Sequence, residues 1–161
     1  MNYDTSYSEY DAGLSILLII AILVVLVLAI IGYVISALIY YKTSKTNGFS
    51  DAAYIAWIPL LNVYSLFLLT ASGDDDTTVR AAAKKNTLIY FGLIIVSFIP
   101  IIGIIGTLGG TGFVLYYAYR LQYRWSGETG KAVLYVILTI ITGGLFFAIY
   151  GLMRMNRPFK A

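Results

Sequence analysis

The chain contains no cysteine and no histidine. Those absences exclude a disulfide scaffold, a Cys/His zinc site, haem ligation by His and any His- or Cys-dependent catalytic triad. Charge is scarce too: 12% of the 161 residues are charged, against about 25% in an average soluble domain. Hydrophobic residues make up 60%, above the usual ~45–50%. Residues 12–41, 52–73, 86–119 and 132–153 carry no Asp, Glu, Lys or Arg, so two thirds of the chain is uncharged. A water-soluble surface cannot be built from so little charge. The composition points to an all-α integral membrane bundle in a single membrane domain, residues 1–161.

A spanning helix needs ~20 mostly apolar residues to cross a hydrocarbon core ~30 Å thick. Four segments qualify by hydropathy, at about 14–41, 52–72, 87–119 and 132–153. The first is a nearly pure Leu/Ile/Val/Ala run preceded by Asp4, Glu9 and Asp11 in an acidic polar head, residues 1–13. It lacks the basic leader of a cleaved signal and reads as a retained, over-long helix. The second carries Trp57, Pro59 and Asn62. Pro59 removes a helical donor, so this segment is either a kinked span or a broken, re-entrant one. The third is too long for one upright helix and holds Pro100 near its middle, followed by Gly103, Gly106, Gly109, Gly110 and Gly112. One tilted, kinked helix is expected, with a helix, a break and a second helix as the alternative. The fourth, with Gly143 and Gly144 inside it, is expected to be one ordinary span ending at the basic tail, residues 154–161. Between the second and third, Gly73-Asp74-Asp75-Asp76 followed by Arg80, Lys84 and Lys85 suits a helix start and a short interfacial helix.

Charge counting leaves the sidedness open. Four spans with the amino terminus outside place Lys42, Lys45, Arg120, Arg124 and Lys131 inside and the other six bases outside, which decides nothing. A re-entrant 52–72 segment gives eight inside and three outside, with the acidic head out and the basic tail in. The formal charge of +3 reflects anchoring residues at span ends, and no basic stripe interleaved with aromatics suggests nucleic acid.

Fifteen tyrosines are explained for the most part by an aromatic belt at the headgroup level, with Tyr40, Tyr41, Tyr116, Tyr117, Tyr119, Tyr123, Trp125 and Tyr150 near span ends. Gly103, Gly106 and Gly110, with Gly32 and Ser36 in the first span, form small-residue faces where helices approach closely. They serve internal packing, a partner subunit or, as backbone bare of side chains, a pore. Pro59, Asn62 and Pro100 are the candidate intramembrane polar and kink positions. Asp74–Asp76 lack the alternating ligand spacing of a calcium loop and read as a helix cap. No paired carboxylates or activated nucleophile suggest an enzyme, and no metal or cofactor is expected. Apart from tyrosines no ionisable side chain lies within a span, so a proton relay lacks its usual groups.

Ile58-Pro59-Leu60-Leu61-Asn62-Val63 and Ile99-Pro100-Ile101-Ile102-Gly103-Ile104 share an Ile-Pro pattern, each after an aromatic residue. The spacing is that of two related membrane hairpins or of chance. The segment Trp57–Tyr64 resembles an aromatic–Pro–x–x–Asn–x–Tyr element of small bacterial multi-pass membrane families of unknown function. Val136–Asn156 resembles the closing span of another such family. The resemblance implies a bacterial-type cell-membrane module and carries no catalytic residue.

The expectation is a non-catalytic multi-pass membrane protein whose partners are the lipid bilayer and other membrane proteins or itself. It would serve as an accessory, assembly or stabilising subunit of a larger complex. The alternatives are a self-assembling pore or small-solute transporter, and an immunity protein against a membrane-active toxin.

Overall fold

The structure, a computed structural model, describes residues 4–161, with side chains from residue 12 onward. Most of the expected acidic head, through Asp11, therefore lies outside the described side chains. Among the described residues the fold is all-helical: α1 (Asp4–Thr46), a 3-10 turn (Ala53–Trp57), α2 (Asn62–Thr70), α3 (Asp76–Ser97), α4 (Gly103–Ser126), α5 (Thr129–Ile141) and α6 (Leu145–Arg154). The backbone divides into two compact units, Met1–Val34 and Ile35–Ala161.

In the first unit, α1 is apolar on every side. Leu, Ile, Val and Ala occupy nearly every position from Leu14 to Ile31, and those side chains are exposed all round. A helix that is hydrophobic around its whole circumference is stable where the surroundings are equally apolar. By length and composition α1 is the one helix among the described residues able to cross a membrane, a test that a signal sequence near an amino terminus also passes.

The second unit is built from helical hairpins, and each reversal has a local cause. Pro59 cannot continue a helix, and Ile58 before it is extended at φ −91°, ψ 116°, as the clash with a following proline ring requires. The chain turns through Leu60 at φ 68° and closes with the Asn62 amide on the Ile58 carbonyl at 3.0 Å. Thus 52–72 is a broken segment: a 3-10 turn, a reversal, and the nine-residue α2 packed back against that turn.

The same turn recurs at the second proline. Ile101 takes φ 73°, and the Gly103 amide donates to Ile99 O at 2.8 Å. The Ile-Pro echo is therefore a repeated backbone device. It also corrects the expectation of one kinked helix across 87–119. The left-handed residue after Pro100 reverses the chain, so α4 returns antiparallel along α3.

The fourth segment differs from expectation as well. Gly143 and Gly144 adopt φ 60° and 93°. The Gly144 amide reaches Thr139 O at 2.8 Å and the Gly143 amide reaches Ile140 O at 3.1 Å, the paired bonds of a glycine helix stop. The expected single span is two short helices, α5 and α6, folded on one another.

The core lies where these hairpins meet. Phe67 of α2 is enclosed by Tyr90 of α3 and by Phe113 and Tyr117 of α4, with ring centroids at 6.1, 5.5 and 4.8 Å. Trp125 of α4 packs on Phe147 and Tyr150 of α6, both at 6.0 Å. Phe67, Leu121 and Trp125 are fully buried. Tyr117 and Trp125, expected in a headgroup belt, are thus core residues: each fills the space between two hairpins. Tyr116 and Tyr123 stay exposed.

Candidate functional site

Two surfaces of the second unit have opposite chemistry. At one pole every charged segment of the unit comes together. Arg80, near the start of α3, pairs with Asp51 at 2.9 Å and with Asp76 at 2.7 Å. Asp75 caps α3 by accepting the Thr78 amide at 2.8 Å. The expected helix start lies here, and the helix then runs on unbroken to Ser97. Arg124 donates to Leu69 O and Ala71 O, both at 2.9 Å. Arg154 donates to Trp125 O at 2.6 Å, and Arg120 to the Ser72 hydroxyl. The tail joins the same pole: the Lys160 amide reaches Arg124 O at 2.8 Å, and the Phe159 amide reaches Asn47 Oδ1 at 2.9 Å. Thr46 Oγ1 donates to Met155 O at 3.1 Å.

The arginines act mainly through helix ends. The last carbonyls of a helix have no intrahelical donor and carry partial negative charge. Arg124 neutralises the carboxyl end of α2 and Arg154 that of α4, so each locks one hairpin to the next. Burial, and then Arg120, lower the Arg124 pKa. The Arg80 guanidinium holds Asp51 below its ordinary value, and the two carboxylates raise Arg80 in return. Glu128 raises Lys131, which it meets at 2.7 Å. Sequence reading treated Arg124 and Arg154 as anchoring charges only. Nothing in their spacing announces which carbonyls they meet.

The hairpin tips are the opposite surface. Leu60 is 74% exposed, Phe98 82%, Ile101 94% and Ile141 75%. For a bulky or β-branched side chain a positive φ is an outlier costing ~1–2 kcal/mol. At Leu60 and Ile101 that strain keeps a large apolar group at the outermost point of a turn where glycine would fit without cost. In water the arrangement is doubly unfavourable. In hydrocarbon the side chain is solvated.

The residues singled out from sequence fall in different surroundings. Gly103 and Gly106 lie at the α3–α4 contact: a Cβ at Gly106 would stand 2.6 Å from Ser97 N and 2.8 Å from Leu93 O, and one at Gly103 would stand 2.5 Å from Ser97 O. Gly110 has more room, with Leu93 Cβ at 3.8 Å, and a Cβ at Gly32 would meet nothing within 4 Å. Ser36 is half-buried. Pro59 and Pro100 stand at two separate tips, and Asn62 opens α2 just past the first. The structure therefore gathers Gly103, Gly106 and, with more room, Gly110 against α3, whereas Pro59 and Pro100 stand apart at separate turns. Above them a groove of about 370 Å³ runs between α3 and α4, floored by Gly106 and Gly110 and edged by Ser97, Thr107 and Thr111. The Ser97 and Thr107 hydroxyls are used locally, on Ile94 O and Gly103 O.

Six buried side-chain atoms have no hydrogen-bond partner among the described residues: Thr43 Oγ1, Ser44 Oγ, Ser65 Oγ, Gln122 Oε1, Trp125 Nε1 and Arg154 Nε. Among the described residues no three Asp, Glu, His or Cys side chains group as a metal site. Comparison of the chain with protein-family models, with curated proteins and with solved structures finds no match in any of the three.

Proposed function

We propose that the chain is a non-catalytic integral membrane protein, held by α1 as its single complete span, whose three hairpins dip into the membrane from one face. In this arrangement it serves as an accessory or assembly subunit for other membrane proteins. The observation that carries the reading is the separation of a charged, cross-linked pole from exposed apolar tips.

Helix length supports the same arrangement. At ~1.5 Å per residue, α2, α5 and α6 are ~14, ~20 and ~15 Å long, well short of a ~30 Å hydrocarbon core. The uncharged part of α3, residues 86–97, is ~18 Å long. A four-span bundle would need each of these to cross; one span with three re-entrant hairpins needs none of them to. At each turn the backbone closes partly on itself, with the Asn62 amide on Ile58 O, the Gly103 amide on Ile99 O and the Gly144 amide on Thr139 O, which meets part of the demand that the membrane makes on irregular backbone.

The charge pattern then acquires a single sense. All eleven Lys and Arg lie at or after residue 42, whereas Asp4, Glu9 and Asp11 are the only charged residues before it. With three re-entrant hairpins every base falls on one side and the acidic head on the other. That distribution favours the cytoplasmic face for the pole. A pore through a single copy has less support, because the core where the hairpins meet is filled by Phe67, Leu121 and Trp125.

The subunit reading is tested by purifying a tagged chain from its native membrane in mild detergent. A membrane protein retained at fixed stoichiometry is the expected result. A clean homo-oligomer that passes small solutes in liposomes would replace it with the pore.

A further inference from the structure

We infer that the three hairpins form a one-leaflet wedge, so that the protein favours, and at high density produces, membrane curved with its charged pole on the convex side. The inference rests on the hairpin arrangement proposed above and is independent of any partner protein. Its chemical partner is the bilayer itself.

Depth is the first ground. Half of a ~30 Å hydrocarbon core is ~15 Å. The apolar arms of the hairpins, ~14 to ~20 Å long by their residue counts, end near the midplane. In α4 the stretch Gly103–Leu115 is also ~20 Å, and the whole uncharged stretch, residues 103–119, is ~26 Å. The leaflet that receives the hairpins thus accommodates the 3-10 turn and α2 to α6, whereas α1 is, among the described residues, the one helix both long and apolar enough to cross a membrane. Added cross-section in one leaflet expands it relative to its partner, and a bilayer relieves that mismatch by bending towards the expanded side.

Rigidity is the second ground. Loose insertions spread without imposing shape, but these hairpins are fastened at their base. The Arg80 pairs, Arg124 on the end of α2 and Arg154 on the end of α4 tie neighbouring elements together at the headgroup level. The tips bear no charge, and Phe98, Ile101, Ile141 and Leu145 remain exposed. The eleven bases against five acids from residue 42 onward add attraction to an anionic leaflet, ~1 kcal/mol for each base close to the surface.

The test uses the full chain with Thr77→Cys, inserted into preformed vesicles of about 50 nm and about 400 nm diameter, since curvature sensitivity is read by comparing sizes. An impermeant maleimide reports the fraction of poles facing out, and electron microscopy reports vesicle shape as protein density rises. The wedge predicts a several-fold larger outward fraction and more protein per lipid in the small vesicles, with narrowing or tubulation of large ones at high load. Equal orientation and density at both sizes, with unchanged shape, overturns it. Thr46→Cys and Thr129→Cys chains run in parallel separate the two levels. If position 46 or position 129 labels from the face opposite to position 77, the hairpin arrangement itself fails. If all three label together without size preference, only the wedge fails.

Discussion

The pole and the tips of the second unit are made from the same chain in alternation, yet they are stabilised in opposite ways. At the pole, side chains from distant segments satisfy one another: Arg80 with Asp51, Arg124 with the end of α2, Arg154 with the end of α4, Asn47 with the tail. At the tips, local backbone geometry does the work and the side chains meet little protein. Leu60 and Ile101 even hold left-handed conformations that bulky residues avoid. Stability is concentrated at one end, and the other end leaves its large apolar side chains exposed.

The largest effects should come from breaking the pole's core. Replacing Phe67 or Trp125 with Ala should cost ~3–5 kcal/mol, read as a loss of thermal stability in detergent. Gly106→Leu should be comparably damaging, because its Cβ would press on the backbone of α3 rather than on a flexible side chain. Gly112→Ala, in open space, is the control and should be near neutral.

Next come the arginine locks. Arg124→Ala leaves Leu69 O and Ala71 O without their donor, a cost of ~1–3 kcal/mol. Arg124→Lys should recover little, since a single ammonium does not reproduce the fork that spans two carbonyls. Both are measured by the same melting experiment.

The tips should show a reversal of sign that sharpens the contrast. Ile101→Gly removes the left-handed strain, so stability in detergent should rise or hold within ~1 kcal/mol. Stability in lipid membranes should fall instead, because the apolar tip is lost. A variant that weakened both equally would contradict the role assigned to that side chain.

The smallest effect is the acid response of the Asp51–Arg80 pair. Asp51 has a lowered native pKa, so its contribution is full above the ordinary carboxylate value and is lost as pH falls through the native one. Asp51→Asn should flatten the shallow loss of stability below about pH 4, and elsewhere change little for an exposed pair.

Much of this division is written in the sequence, though unevenly. The charge-free segments and the places where Pro59 and Pro100 interrupt the helices were legible, because proline acts on its own backbone whatever surrounds it. That Pro100 reverses the chain, where one kinked helix was expected, was not legible, since the reversal depends on the left-handed Ile101 after it. Nor was the reversal at Gly143-Gly144. Glycine inside an apolar run is common in membrane helices, and only the observed left-handed pair separates a stop from a packing site. The partners of Arg124 and Arg154, and the burial of Tyr117 and Trp125 in place of a headgroup position, depend on which hairpins become neighbours. No local spacing encodes that. The small-residue faces were visible as a pattern, but the pattern did not separate Gly106, pressed on α3, from Gly32 in open space.

The central claim is that every charged segment from residue 42 onward lies on one side of the membrane. Because the chain has no native cysteine, single cysteines at Thr46, Thr77, Thr129 and Asn156 report sidedness directly in intact cells. The account predicts that an impermeant maleimide labels none of the four until the membrane is opened, and then labels all four. Labelling of position 77 or position 129 in intact cells while position 46 stays protected would contradict it.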